Sequence, residues 1–377
     1  MSNLHILHCH STFSLGGKEA RAVRLMNAFG DAARHTVISA MPDALGARDS
    51  IAPGIIVDFP SRAPSLEGKP TLVRYRTLAG YMQRFDLILT YNWGSMDAVM
   101  TRRMFPKDFP PLVHHEDGFN ADESQTLKTK RNLFRRLGLP AAFAVVVPSQ
   151  RLESIAFEIW KQPPERVRRI PNGVDVAAYR SKPTISIPGF RKKPGEVVIG
   201  TLAGLRTVKN LPRLVRAAAG VPNSRLIIVG DGAERETILS EAARLGYSDR
   251  LVMPGFMAAP HRYIGLFDIF ALSSDSEQFP ISLVEAMAAG LPCVSTDVGD
   301  VSQIVSKENL RFVVQPHDEA GLRSALLALA SDARLRVAVG VTNQAKARAQ
   351  FNEDTMISAY KTVYEDAVGW RGALGES

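Results

Sequence analysis

Short apolar segments rich in Val, Ile and Leu alternate with stretches of helical periodicity along the chain, and this alternation restricts the fold more than any other feature. Candidate strands cover residues 4–8, 36–39, 55–59, 86–91, 112–115 and 143–147. After a break they resume at 197–202, 225–229, 250–253, 268–272, 293–295 and 312–314. Helical patterns lie between them, for example over 19–29, 211–219, 233–245 and 322–330. Strands that are apolar on both faces and separated by helices form parallel sheets covered by helices on either side. The pattern runs twice, so the expected fold is α/β with two doubly wound, Rossmann-like parallel-sheet domains. A chain of 377 residues is long for one core and ample for two.

The break falls in residues 181–195, which hold Pro183, Pro188, Gly189, Pro194, Gly195 and the basic run Arg191 to Lys193. No strand or helix period crosses it, as expected of a linker. The domains are therefore read as 1–185 and 186–351. A terminal helix and tail, 352–377, is read as packing back on the first domain.

Hydrophobic content of 45% and charged content of 22% describe a globular chain, not a disordered one. Only Cys9 and Cys293 are present, which excludes a disulfide framework and favours a reducing cytoplasm. The N-terminus has neither the basic region nor the apolar core of a signal peptide. No apolar run approaches the roughly 20 residues of a membrane helix. A net charge of +8 favours an anionic partner.

The most informative motif is Glu277-Gln278-Phe279-Pro280-Ile281-Ser282-Leu283-Val284-Glu285, followed by Ala286-Met287-Ala288-Ala289-Gly290-Leu291-Pro292. Proline suits the first turn of a helix, where it loses no intrahelical hydrogen bond. Glu277 then lies in the loop before a helix and Glu285 about a turn and a half into it. Free backbone N–H groups and the helix dipole between them favour a phosphate. Two carboxylates on either side of a phosphate match a nucleotide-activated sugar, with sugar, diphosphate and ribose in line.

Other motifs sit at strand ends. Gly16-Gly17 follows the first strand and opens a helix, so it can bring backbone close to an anion or simply make a tight turn. It is not the G-x-G-x-x-G fingerprint, so a nicotinamide or flavin enzyme loses its main support. Gly204, Arg206 and Lys209 end the first strand of the second half, where the cations can meet phosphate oxygens. Gly230-Asp231-Gly232 and Gly255-Phe256 are glycine-containing strand ends that serve as turns or hydrogen-bond a nucleobase. His114-His115-Glu116-Asp117 invites a metal reading. Neighbouring side chains on a strand point to opposite faces, however, so a histidine aimed into a cleft is preferred. Lys128, Lys130, Arg131, Arg135 and Arg136, interleaved with leucines and Phe134, form a basic amphipathic helix. It suits an anionic membrane surface, or a core-packed helix with a solvated cationic face.

In order and spacing these motifs resemble the GT-B-fold retaining glycosyltransferases of family 4, over nearly the whole chain. The likeness rests on Gly16-Gly17-x-Glu19, Pro171-Asn172-Gly173-Val174-Asp175, Lys209-Asn210, Gly230-Asp231-Gly232, and the Glu277/Glu285 pair with Gly290-x-Pro292 and Gly299. The resemblance implies two domains facing each other across a cleft, with the donor against the second and the acceptor against the first. It implies that Glu285 holds the ribose and Glu277 the donor sugar. The backbone of Gln278, Phe279, Pro280 and Ile281 would contact sugar and diphosphate. Lys209 would neutralise the leaving diphosphate, Gly16 and Gly17 would close over it, and His115 would be the active-site histidine, with His114 as the fallback. No metal or other cofactor is implied. Gly204 stands where the family usually has arginine, and Gln278 where it usually has glycine, so Arg206 becomes the candidate substitute cation.

The expected activity is transfer of a sugar from a nucleoside diphosphate to a lipid-linked or saccharide acceptor, as in glycolipid or cell-surface polysaccharide synthesis. The expected location is the cytoplasm, at the inner face of the membrane. A nucleotide-sugar epimerase on the same architecture, and a basic lipid- or nucleic-acid-binding protein, are the alternatives. The last has no RNA- or DNA-binding motif behind it, so nucleic acid is not an expected partner.

Overall fold

The computed structural model describes residues 3–119, 123 and 127–375. Its contacts divide the chain into two units: Met1–Asn172 with Met356–Ser377, and Gly173–Thr355.

The first unit begins with β1 (Leu4–His10), α1 (Gly17–Phe29), β2 (Ala33–Ser39), β3 (Val57–Asp58), α2 (Leu72–Met82) and β4 (Leu87–Tyr91). It continues through α3 (Met96–Met104), β5 (Leu112–His115), α4 (Thr129–Gly138), β6 (Ala144–Val147), α5 (Gln150–Glu158) and β7 (Val167–Arg169). The strands form one sheet in the order β3-β2-β1-β4-β5-β6-β7, and every pairing is parallel. Ile6 and Leu7 on β1 enter different apolar clusters, one on each face. This is why the strand carries apolar residues at neighbouring positions instead of strictly alternating them with polar ones.

The second unit holds β8 (Val197–Leu202), α6 (Leu211–Ala219), β9 (Ser224–Val229), α7 (Arg235–Arg244), β10 (Leu251–Gly255) and β11 (Ile269–Leu272). There follow α8 (Ile281–Ala288), β12 (Cys293–Thr296), α9 (Val301–Ile304), β13 (Val313–Val314), α10 (Glu319–Ser331) and α11 (Ala333–Gln350). The sheet order is β10-β9-β8-β11-β12-β13, again all parallel. Val198 and Ile199 on β8 likewise face different clusters. Aspartates set the starts of α10 and α11: Asp318 accepts from Gly321 N at 2.8 Å and Asp332 from Leu335 N at 2.9 Å.

Two boundaries differ from the sequence expectation: the first unit ends at Asn172, and it resumes at Met356 instead of residue 352. The division falls after Asn172 and not after residue 185, because 181–195 is anchored in the second unit. Ile187 is 1% exposed there, Ile185 and Phe190 pack on the same core, and Thr184 N donates to Arg262 O. The prolines and glycines turn the chain between these apolar anchors. The last helix, α12 (Glu353–Val368), places Met356, Tyr360 and Tyr364 against Leu4, Ile6 and Phe29 in the first unit. The strand β7 had no counterpart in the pattern; it is three residues long and two of them are exposed arginines.

Candidate active site

In each sheet the strand order reverses at one place, between β1 and β4 in the first and between β8 and β11 in the second. In open parallel sheets, ligands bind at the carboxyl ends of strands beside such a reversal. Lys209 follows β8 and Glu277 follows β11, so the two motifs come from the two strands that flank the reversal.

After β8 the chain runs through Gly204 and Arg206 into a short 3-10 turn, Thr207–Lys209. Asn210 is left-handed there (φ 42°) and leads into α6. After β11 it passes Ser273 and Ser274 to Glu277 and then enters α8. Lys209 Nζ lies 2.5 Å from Glu277 Oε1, and Ser274 Oγ donates to the same oxygen at 2.7 Å. The loops are also tied by backbone: Asp275 N donates to Val208 O at 2.8 Å, and Ser273 Oγ lies 3.0 Å from the Lys209 and Asn210 carbonyl oxygens. The Lys209 and Glu277 side chains are only 16% and 12% exposed, so their attraction is weakly screened.

The turn after β12 supports the Glu277 loop from behind. Gly299 has φ +60°, and a Cβ there would lie 2.6 Å from the carbonyl oxygens of both Glu277 and Gln278. Only glycine fits so close a backbone approach. Asp300 N donates to Gln278 O at 3.2 Å. Gln278 keeps a buried side-chain oxygen, Oε1, that has no hydrogen-bond partner among the described residues.

Pro280 stands at the N-cap of α8, one residue before its first helical residue, and Phe279 packs its ring against Phe351. The opening N–H groups of α8, starting with Ile281, follow directly on the Glu277 loop, and such groups lack intrahelical partners. Glu285 lies one turn along the helix, a little nearer its start than expected. Its Oε1 accepts from the Tyr179 hydroxyl at 2.7 Å.

The remaining donor candidates of this unit lie on neighbouring strand ends. A Cβ on Gly230 would lie 1.9 Å from Ala203 O, so this glycine is what lets the chain after β8 pass close to the end of β9. Asp231 Oδ1 accepts from Gly232 N, Gly230 N donates to Gly255 O, and the Phe256 ring is 66% exposed. Gly204 and Arg206 are exposed, and a Cβ on Gly204 would lie 3.7 Å from Arg206 Nε. The arginine side chain thus folds back over position 204.

In the first unit, Gly16 is the N-cap of α1 and Gly17 its first residue. Lys18 pairs with the buried Glu19, whose carboxyl is pushed up by burial. His115 ends β5 and is fully buried. Its Nδ1 lies 3.0 Å from Thr90 O, which can only accept, so Nδ1 carries the proton and Nε2 accepts from the Tyr364 hydroxyl at 2.8 Å. Burial pushes this imidazole down to about 3, with the Arg21 guanidinium adding to the effect. The expected active-site histidine thus has both nitrogens engaged inside its own unit. The fallback, His114, is also fully buried, with Nδ1 2.9 Å from Thr90 Oγ1. The acids beside these histidines also meet arginines: Asp117 pairs with Arg21, and Glu116 Oε2 lies 3.0 Å from Arg135 Nε and 3.5 Å from His114 Nε2. Among the described residues no cluster of His, Cys, Asp or Glu is arranged to hold a metal.

The basic helix is partly inward-facing. Arg135 is fully buried, bonded to Glu116 Oε2 at 3.0 Å and ringed by Trp93, Phe119 and Trp160. Arg131 pairs with Glu123 at 2.8 Å and lies over Trp93. These two therefore leave the proposed membrane patch, while Lys128, Lys130 and Arg136 remain exposed beside Leu133 and Leu137. No helix among the described residues is long and apolar enough to cross a membrane.

Ser274 and Tyr179 were not expected at the site. Ser274 lies three residues before Glu277, close enough to have been suspected. Tyr179 is 106 residues from its partner, and no local pattern signals that contact.

Known proteins share the sequence pattern and the fold of this chain. The model of glycosyl transferases group 1 matches residues 185–346, and that of glycosyltransferase family 4 matches residues 15–178. The N-acetyl-alpha-D-glucosaminyl L-malate synthase of Bacillus anthracis is 26% identical over 240 residues, which cover 62% of each chain. The lipopolysaccharide core biosynthesis glycosyltransferase LpsD of Rhizobium meliloti is 28% identical over 163 residues, 43% of this chain and 48% of that one. The matched stretch therefore spans less than two thirds of either relative. The crystal structure of Anabaena HepE in complex with UDP and glucose superposes with a TM-score of 0.79 at 21% identity, covering 97% of this chain and 100% of that one. With two parallel-sheet units of the GT-B type and both family models matched in sequence, the chain belongs to the family 4 (group 1) glycosyltransferases.

Proposed function

We propose that this protein is a retaining glycosyltransferase that moves a sugar from a nucleoside diphosphate to an acceptor hydroxyl. The observation that carries the reading is the Lys209–Glu277 pair at the sheet reversal, immediately before the N-terminus of α8. Glu277 takes the sugar hydroxyls, the opening N–H groups of α8 take phosphate oxygens, and Glu285 takes the ribose. A lysine ammonium has three donors, so bonding to Glu277 leaves two for the diphosphate. Arg206, folded over Gly204, supplies the second cation. Gly230, Asp231, Gly255 and Phe256 border the nucleobase side.

As the bond from the anomeric carbon to the diphosphate breaks, negative charge grows on the leaving oxygen. Lys209, Arg206 and the α8 dipole are positioned to stabilise it, the work that a metal ion does in other enzymes. The acceptor oxygen attacks from the same face, and its proton passes to the departing phosphate oxygen. This scheme needs no protein nucleophile and no metal, and it retains the anomeric configuration.

The name of the LpsD relative and the UDP and glucose bound in the HepE structure favour a glycolipid or polysaccharide acceptor and a nucleoside-diphosphate sugar donor. We place the reaction in the cytoplasm, at the inner membrane face. There Lys128, Lys130 and Arg136 meet anionic headgroups and Leu133 and Leu137 enter the interface.

The test is a calorimetric screen of UDP-, GDP- and ADP-sugars, followed by NMR of the product's anomeric configuration. Binding of one class and transfer with retention are expected. If none binds, or the product is inverted, the reading fails. An epimerised or eliminated product from donor alone would establish the epimerase alternative.

A further inference from the structure

We infer that Tyr179 is a positioning residue that sets the orientation of Glu285 and so governs recognition of the donor's ribose. The inference rests on the donor-site reading above. Tyr179 lies in a 3-10 turn, Ala178–Arg180, four residues after the Asn172-Gly173-Val174-Asp175 motif. The turn is locked in place. Asp175 Oδ1 accepts from Ala177 N and Ala178 N at 3.0 Å, and Val174 pairs with Asn352. The ring is 7% exposed, packs in the same apolar cluster as Leu283 and Val284 of α8, and meets His261 edge-on at 5.9 Å.

From this fixed base the phenol donates to Glu285 Oε1 at 2.7 Å. A glutamate on a helix has three rotatable side-chain bonds, and an unrestrained carboxylate must lose that freedom when it binds a diol. A hydrogen bond from a buried phenol removes much of it in advance. The bond is charge-assisted and uses one of about four lone-pair positions on the carboxylate. Tyr179 therefore contributes geometry and leaves the contact itself to Glu285.

The test compares UDP with 2′-deoxy-UDP by calorimetry on the wild type, Tyr179→Phe and Glu285→Gln. GDP and ADP with their 2′-deoxy forms are run in parallel, and the tightest pair is read. Phenylalanine keeps the ring in its apolar cluster and removes only the hydroxyl. The wild type is expected to prefer the ribose form. Tyr179→Phe should weaken ribose-form binding about five- to ten-fold, roughly one hydrogen bond, and leave deoxy-form binding within two-fold. Equal weakening of both forms would make Tyr179 merely structural and overturn the inference. So would undiminished discrimination in Tyr179→Phe when Glu285→Gln has lost it. A wild type indifferent to the 2′-hydroxyl would instead overturn the assignment of Glu285, and this inference with it.

Discussion

Lys209 Nζ and Glu277 Oε1, contributed by loops that follow adjacent parallel strands, meet at 2.5 Å in a pair that is more than four-fifths buried. The contact fixes both proposed phosphate and sugar ligands before a donor arrives. Lys209→Ala should lower kcat by about 10²–10³-fold, the usual loss when one charge-stabilising donor is removed. Steady-state kinetics with the donor found in the screen checks this. Turnover within a few-fold of wild type would refute the phosphate role of Lys209.

Gly299 is expected to be intolerant even of alanine. The added Cβ would lie 2.6 Å from two carbonyl oxygens of the Glu277 loop, in a backbone conformation that L-residues disfavour. Gly299→Ala should reduce kcat/KM at least ten-fold while far-UV circular dichroism stays close to wild type, because the displaced element is a loop and not a strand. Wild-type kinetics would show that the loop position does not matter.

Arg135 and Arg136 are neighbours with opposite expected behaviour. Arg135→Ala would remove the guanidinium partner of the fully buried Glu116 and should destabilise the first unit by about 3–5 kcal/mol, measured by urea unfolding. Arg136→Glu should leave stability within about 0.5 kcal/mol. Combined with Lys128→Glu and Lys130→Glu, it should release the protein from anionic vesicles in a flotation assay. Unchanged vesicle binding by the triple variant would remove the membrane assignment.

Stability should fall on mild acidification. Burial pushes His35 down to about 4 and His115 down to about 3, and it also lowers His8 and His10. In the unfolded chain these rings protonate near pH 6.5. Below that pH the unfolded state binds more protons than the native one, so stability drops until the native rings titrate near 4 and 3. At pH 5 His35 and His115 each cost roughly 2 kcal/mol. Urea midpoints at pH 7.5 and pH 5 should show the decline, and His115→Gln should make it shallower. An equal slope in that variant would mean that His115 is not held neutral.

Much of this architecture was legible because parallel strands buried on both faces leave unbroken apolar runs, as β6 and β11 do. The Glu277 to Glu285 spacing located the site because strand end, loop and helix start are contiguous in sequence. Side chains that reach the site from elsewhere were not legible: Tyr179 arrives across 106 residues. The inward turn of Arg135 was hidden for a related reason. Its carboxylate partners, Glu116 and Glu123, lie outside the helix, so the helix alone reads as uniformly cationic. Residues 181–195 were misjudged because prolines and glycines mark turns equally well in linkers and in chain pinned to a core.

The return of α12 to the first unit means that the second unit is an insertion within the first. During synthesis, residues 173–355 can emerge and condense as a contiguous module. Leu4, Ile6 and Phe29 must wait for Tyr360 and Tyr364, more than 300 residues later, before their hydrophobic surface is sealed. The amino-terminal half is therefore the part that would depend on chaperone protection while the ribosome is still translating.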